Sequence, residues 1–170
     1  AVPGKYRLKL TAGGKSVESN VEVLPDPRST ATQADLQAQL DFVLEVREAI
    51  NRVAADVEAV RAIRSQANDL ATRLTGDARG TDLVPLAKRL AEQCEALEGE
   101  LHNPKAKVVY DILAQQGGTQ LHSNLVFLYA WAMNGDGAPT QGEREVFAEQ
   151  KLKLAELEAK LADIQSGNLA

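Results

Sequence analysis

Apolar residues recur at every third or fourth position from Leu36 to Leu74, which is the spacing of one face of an α-helix. A helix of this length with a continuous apolar face has to bury that face against other helices. The pattern therefore predicts a mainly α-helical protein, an antiparallel bundle of three to four helices built around a long first helix. The apolar positions are Leu36, Leu40, Val43, Val46, Ile50, Val53, Val57, Val60, Ile63, Ala67, Leu70 and Leu74.

Three shorter segments carry the same periodicity. The second helix is expected at about 81–103, the third at about 119–133, and the fourth after a capping-box pattern at 140–143. Glutamates of the second and fourth helices are expected on solvated faces, and the segment 105–118 fits either a short helix or an extended chain. The predicted inward positions are Leu83, Leu86, Leu90, Cys94, Leu97 and Leu101, then Leu121, Leu125, Leu128 and Ala132, then Phe147, Leu154, Leu157, Leu161 and Ile164.

The first two dozen residues follow a different period. Apolar and polar side chains alternate on both sides of a turn at Gly13-Gly14, which predicts a β-hairpin with one apolar face. A lone hairpin is marginal in water, so it should either pack on the helices or form the closing strands of an Ig-like sandwich, and we favour the sandwich. The apolar positions are Tyr6, Leu8, Leu10, Val17, Val21 and Val23.

A rigid joint at Pro25-Asp26-Pro27 separates the hairpin from the helices, because each proline fixes its own φ and disfavours the α conformation before it. We therefore divide the chain into a hairpin and linker at 1–27 and a helical domain at 28–170. Thr32 and Asp35 are placed to begin the first helix, and Gly76 to end it.

Charge and composition bear on the class of partner. The formal net charge is −5 and basic residues are not clustered, which argues against binding nucleic acid through phosphate contacts. No apolar run approaches the ~20 residues that a membrane-spanning helix requires. Aromatic residues make up 4% of the chain, so the core must consist mainly of aliphatic side chains.

The residues that most often carry chemistry are few, and each has a structural explanation. His102 lies four residues after Glu98 at the end of the second helix, where the helix dipole favours a cation. His122 and Ser123 are neighbours and point about 100° apart on a helix, so they cannot form a proton relay. Cys94 falls on an apolar stripe. We therefore predict no catalytic residue, no cofactor and no metal site.

Large side chains cluster around the third helix. Phe127 and Trp131 are four residues apart, as are Tyr129 and Met133 on another side, and Tyr110 lies nearby in the sequence. Two interpretations remain open: a central helix buried on all sides, or an interaction surface formed by Phe127, Tyr129, Trp131 and Met133, since aromatic residues are enriched at interfaces.

Four segments together, at 4–11, 26–36, 102–113 and 135–150, resemble the C-terminal end of large bacterial proteins with sortilin-like, BNR-repeat β-propellers, which are often described as putative glycosyl hydrolases. The resemblance implies that the hairpin ends an Ig-like module, that a propeller lies upstream, and that the protein is exported to an extracytoplasmic location. No active-site residue of that family maps onto this chain.

These observations predict a non-catalytic accessory domain that acts by helix packing on the upstream β-propeller and Ig-like domains of its parent protein, or by forming a homodimer. The alternative is an accessory domain of a glycoside hydrolase that contributes to glycan binding.

Overall fold

The computed structural model describes residues 2–106 and 118–167, and within them it shows a helical bundle with an N-terminal β-hairpin. The predicted fold class is thereby confirmed. Most of the ambiguous segment 105–118, including Tyr110, lies outside the described residues. The elements are β1 (Gly4–Ala12), β2 (Lys15–Val23), α1 (Gln33–Leu74), a 3-10 turn (Ala78–Gly80), α2 (Leu83–Leu101), α3 (Leu121–Ala132) and α4 (Gln141–Ser166).

Helix ends follow local sequence signals. Thr32 caps α1 by accepting a hydrogen bond from the backbone of Asp35, whose carboxylate accepts one in return, and Thr140 and Glu143 repeat this capping box at α4. Gly76, just beyond α1, has φ +84°, a conformation that glycine adopts without strain. The expected boundaries at these three helix ends are thus confirmed.

The 42-residue helix α1 is the axis of the bundle, about 63 Å long at 1.5 Å per residue. Helix α4 runs in the same direction beside it. The rings of Phe42 and Phe147 meet edge to face with their centroids 5.5 Å apart, and Arg52 pairs with Glu158 further along. Because both contacts advance in the same direction along the two helices, α1 and α4 are parallel.

Helices α2 and α3 both run antiparallel to α1 and follow one another along it. Arg61 of α1 binds Glu98 near the end of α2, whereas Gln39 near the start of α1 donates to the carbonyl of Ala132 at the end of α3, at 2.7 Å. In cross-section the bundle therefore has α1, α4, and a third position filled first by α3 and then by α2.

The core follows the predicted positions in α3 and α4. Leu121, Leu125, Leu128 and Ala132 are buried, as are Phe147, Leu154, Leu157 and Leu161, with Ile164 partly buried. In α1 the middle of the stripe is buried, and Phe42, Ala49 and Ala71 extend the buried face because α1 contacts more than one helix.

The predicted stripe of α2 is wrong in its first two turns. Leu83 and Leu86 are exposed, and the buried positions there are Ala87 and Ala91. Ala67 and Ala71, near the end of α1 that leads into α2, are buried as well. Small side chains allow two helices to approach closely, and the larger leucines are then left on the outside.

Gly80 closes the connection between α1 and α2. A Cβ atom at this position would lie 2.3 Å from the carbonyl oxygen of Leu74, which is far inside the van der Waals limit. The tight return of the chain onto the end of α1 therefore requires glycine here, a constraint that was not expected from the sequence.

The β-hairpin projects from the bundle. Its strands pair antiparallel around Gly13 and Gly14, both at positive φ, as in the two-residue turns that fit the twist of a hairpin. Within the described residues neither strand packs on a helix. The hairpin attaches at its base, where Val2 is buried and Gln33 donates to the carbonyl of Pro3 at 2.9 Å. Packing of the strands on the helices, one of the two expectations, is therefore wrong, and the division of the chain at 27/28 stays a prediction.

Candidate functional site

One face of the hairpin is an apolar surface open to solvent. The pairing register brings Tyr6 opposite Val21 and Leu10 opposite Val17, so both strands contribute to the same face. Leu10 is 71% exposed and Val17 70%, and Tyr6, Leu8 and Val21 are exposed as well. We call this set, Tyr6, Leu8, Leu10, Val17 and Val21, the apolar sheet face. Clustered exposure of this kind marks a contact surface more often than scattered exposed residues do.

The opposite face of the hairpin is charged. Lys5 lies opposite Glu22, Lys9 opposite Glu18, and Arg7 reaches Glu18 at 3.7 Å. Cross-strand pairs of opposite charge are mildly stabilising on a solvated face. The hairpin therefore has one face suited to water and one suited to a partner.

A cleft of about 370 Å³ lies at the base of the hairpin. Val23 and Leu24 line it from the hairpin side, Leu40 from α1, and Met133 from the end of α3. Because Val23 belongs to β2 and also to this cleft, the apolar sheet face continues into the junction with the helices.

The structure separates the four residues predicted to form an interaction surface on α3. Tyr129 is partly buried and packs against the core, whereas Trp131 is 70% exposed and Phe127 is also exposed. Met133 is exposed and lines the cleft at the hairpin base. The helix is therefore not buried on all sides, and the interaction surface formed by Phe127, Tyr129, Trp131 and Met133 stays a prediction.

Phe127 and Trp131 line a shallow groove of about 540 Å³ between α3 and α4. Val146 of α4 contributes an exposed apolar side chain, and Asn124 and Gln150 contribute amides at its edge. The groove can accommodate an apolar or mixed ligand, with the indole as its largest contact surface.

A charged cluster joins the end of α2 to α1. Glu98 is 2% exposed, and its Oε1 accepts a hydrogen bond from Nε of Arg61 at 2.7 Å. Its Oε2 lies 2.7 Å from Nη1 of Arg64, and Nε2 of His102 lies 3.1 Å from Oε1. Glu98 is thus a buried carboxylate held by two arginines, which corrects the expectation of a solvated glutamate at this position, whereas Glu92 and Glu95 of α2 are exposed.

Burial opposes ionisation of this carboxylate, but hydrogen bonds from Arg61 and His102, and the charge of Arg64, outweigh it and hold the pKa of Glu98 below its ordinary value. Arg61 also approaches Nε2 of His102, at 3.0 Å. Each carboxylate oxygen of Glu98 thus lies 2.7 Å from an arginine nitrogen of α1, which fits a structural anion that joins α2 to α1.

A second carboxylate, that of the half-buried Asp56 of α1, lies near Glu158 of α4. Oδ2 of Asp56 is buried and has no hydrogen-bond partner among the described residues. Burial, and then the nearby charge of Glu158, raise the pKa of Asp56, while Arg52 acts in the opposite direction. Unlike Glu98, Asp56 is therefore in surroundings that disfavour its ionised form.

His122 and Cys94, the other two residues considered for chemistry, lie on different helices, α3 and α2. Burial, and then the charge of His102, lower the pKa of His122. Asp136, an acidic residue that follows α3 in the sequence, lies beyond Ala132, which is about 15 Å from His122 along the helix axis, so it does not orient the imidazole. Cys94 is fully buried, and this burial raises the pKa of its thiol.

Across the described ranges, no three His, Cys, Asp or Glu side chains converge in an arrangement that could bind a metal ion. No helix in those ranges combines the length and the apolar character needed to cross a bilayer.

Sequence reasoning missed the burial of Glu98 and the basic residues that neutralise it. The i, i+4 spacing of Glu98 and His102 was visible, but Arg61 and Arg64 become partners only when the register between α1 and α2 is known.

Comparison of the chain with protein-family models, with curated proteins and with solved structures found no match.

Proposed function

We propose that this chain is a non-catalytic interaction domain that docks its β-hairpin onto β-structured parts of a larger exported protein. The resemblance to propeller-containing bacterial proteins suggests an Ig-like or propeller neighbour as the partner. The observation that carries the proposal is the apolar sheet face, which is exposed along both strands.

The exposed side chains of the apolar sheet face would gain free energy from burial against a partner. Fully burying a leucine or valine side chain contributes about 1.5–3 kcal/mol, so Leu10 and Val17, both exposed by about 70%, would each gain on the order of 1–2 kcal/mol from a partner. A hairpin without such support is marginal in water. The helical bundle supplies none, since within the described residues neither strand packs on it.

Hydrogen exchange on the isolated chain tests the proposal. The amides of β1 and β2 should exchange much faster than those in the middle of α1, because the hairpin lacks a packed face. Hairpin amides as well protected as those of α1 would show that the hairpin is stable alone and would remove the reason for a partner.

A double substitution, Leu8→Lys with Leu10→Lys, extends this test, with Asn20→Lys on the polar face as the matched control. The double variant should lose binding of an apolar dye such as ANS and any self-association seen by light scattering, while the unfolding midpoint of the helices stays unchanged. A marked loss of helix stability would show that the hairpin is part of the helical core and would contradict the proposal.

Glycan binding at the groove between α3 and α4 is the second candidate. The exposed indole of Trp131 beside Phe127 offers a flat apolar platform, and the side-chain amides of Asn124 and Gln150, joined by a long hydrogen bond of 3.5 Å, keep further donors and acceptors for a ligand. Of the described residues that line the groove, Glu143 is the one carboxylate, and it already caps α4, so the groove would bind a sugar without hydrolysing it.

Trp131 is the single tryptophan of the chain, so its fluorescence reports on this groove alone. Titration with soluble oligosaccharides should shift the emission if the groove binds sugar, and Asn124→Ala should weaken the effect. An emission spectrum unaffected by millimolar oligosaccharide would leave interaction through the hairpin as the proposed function.

A further inference from the structure

In the part of the chain that the structure describes, no strand pairs with the outer edge of β1, and the backbone orientation of this edge follows from the register. A two-residue turn is closed by a hydrogen-bonded pair, here Ala12 and Lys15, and hydrogen-bonded pairs then alternate along the strands. The apolar residues of β1 consequently direct their backbone groups towards β2. The residues that direct theirs towards the open edge are Lys5, Arg7, Lys9 and Thr11.

Three of these residues supply three of the four positive charges of the hairpin, and the fourth, Lys15, lies opposite Ala12 next to the turn. Lys5, Arg7 and Lys9 occupy three successive outward positions on the polar face. The facing strand supplies two carboxylates, Glu18 and Glu22, while Asn20 stands opposite Arg7. Positive charge on this face is therefore in excess, and the excess lies on β1.

We propose that the edge of β1 binds an extended strand in which acidic and apolar residues alternate. Its acidic side chains would lie beside Lys5, Arg7 and Lys9, where cross-strand pairs of opposite charge are favourable. Its apolar side chains would fall on the other side and extend the apolar sheet face, because successive residues of a strand point to opposite faces. The inference rests on the proposed function and specifies which edge is used and the chemistry of the partner strand.

A second copy of this chain is a poor occupant of that edge. Antiparallel pairing of β1 with another β1 would bring Lys5, Arg7 and Lys9 of the two copies together, and like charges on neighbouring strands are destabilising. Lysine on exposed edges is a known protection against such self-pairing. The edge of β1 thus disfavours pairing with a second copy of β1 and favours pairing with an acidic strand.

Two synthetic peptides provide the test, an acetylated ten-residue peptide of alternating glutamate and valine and its counterpart with lysine in place of glutamate. Titration of the ¹⁵N-labelled chain with the glutamate peptide should shift the amide resonances of Lys5, Arg7, Lys9 and Thr11 and slow their exchange. The lysine peptide should bind at least about tenfold more weakly, since each like-charged pair replaces a favourable one. Binding of the glutamate peptide should weaken as salt is raised, because exposed charges are screened.

A charge-reversed variant, Lys5→Glu with Lys9→Glu, should invert the preference between the peptides, and retained amide dispersion in β2 would show that its hairpin still forms. Equal affinity for both peptides, shifts confined to the outer edge of β2, or no shift at millimolar peptide would each overturn the inference. If both peptides protect the hairpin equally, the inference fails while the proposed docking of the hairpin stands. If hydrogen exchange shows that the hairpin is stable without a partner, both the proposed function and this inference fail.

Discussion

Replacing Glu98 with glutamine removes the negative charge at the centre of the cluster and nearly preserves the shape of the side chain. Arg61 and Arg64 then lose the anion that each contacts at 2.7 Å. Removing one partner of a buried ion pair costs about 3–5 kcal/mol when the other charge stays buried. Here the arginine side chains are partly exposed, by 51% and 32%, and can recover hydration. We therefore expect a smaller loss, about 2 kcal/mol.

Urea unfolding followed by circular dichroism at 222 nm measures this loss at pH 7. For a domain of this size about 2 kcal/mol corresponds to a decrease of roughly 4–8 °C in the thermal midpoint. Glu95→Gln is the matched control, because Glu95 is an exposed glutamate on the same helix. The control should change the free energy of unfolding by less than about 0.5 kcal/mol.

The pH dependence gives the sign of the effect independently. The pKa of Glu98 is lower in the folded protein than its ordinary value of 4.5, so the folded state favours the ionised carboxylate. Its contribution is fully present above pH 4.5 and is lost as the pH falls through the folded-state pKa. The difference between wild type and Glu98→Gln should therefore shrink below pH 4.5. A difference under about 0.5 kcal/mol at pH 7, or one that is constant down to pH 3, would refute the reasoning.

Three further predictions follow from individual contacts. Gly80→Ala should lower the free energy of unfolding by about 1–3 kcal/mol, because the new Cβ atom would meet the carbonyl oxygen of Leu74. Gly99→Ala, within α2 and with open space around it, should raise the free energy of unfolding by about 0.5–1 kcal/mol. Urea unfolding of the two variants checks these opposite signs. Leu154→Ala should cost about 2–5 kcal/mol in the same assay, and the exposed Leu152→Ala close to nothing; similar losses would contradict the placement of α4. The raised pKa of Asp56 means that the folded state gains stability as Asp56 protonates, so Asp56→Asn should raise the thermal midpoint at pH 7 and lose this advantage as the pH falls through the folded-state pKa; a lower midpoint at pH 7 would show that Arg52 outweighs burial.

Local signals in the sequence determined the elements and most of their ends. The capping residues Thr32 and Thr140 could be read directly because a cap involves only residues within one turn. The hairpin register was equally local, since Gly13-Gly14 fixes the turn and the two-residue period assigns each side chain to a face. The inward residues of α3 and α4 were predicted correctly because they recur at helical spacing along one side of each helix.

Tertiary structure decided what periodicity cannot express. Leu83 and Leu86 are exposed because α2 packs through Ala87 and Ala91, and this choice depends on how closely α1 approaches. Glu98 is buried because two arginines from another helix surround it, and Gly80 is required because α1 ends against it. Each of these features arises from the register between two helices. Register is set by packing between residues that are distant in sequence, and a local sequence pattern contains no information about such packing.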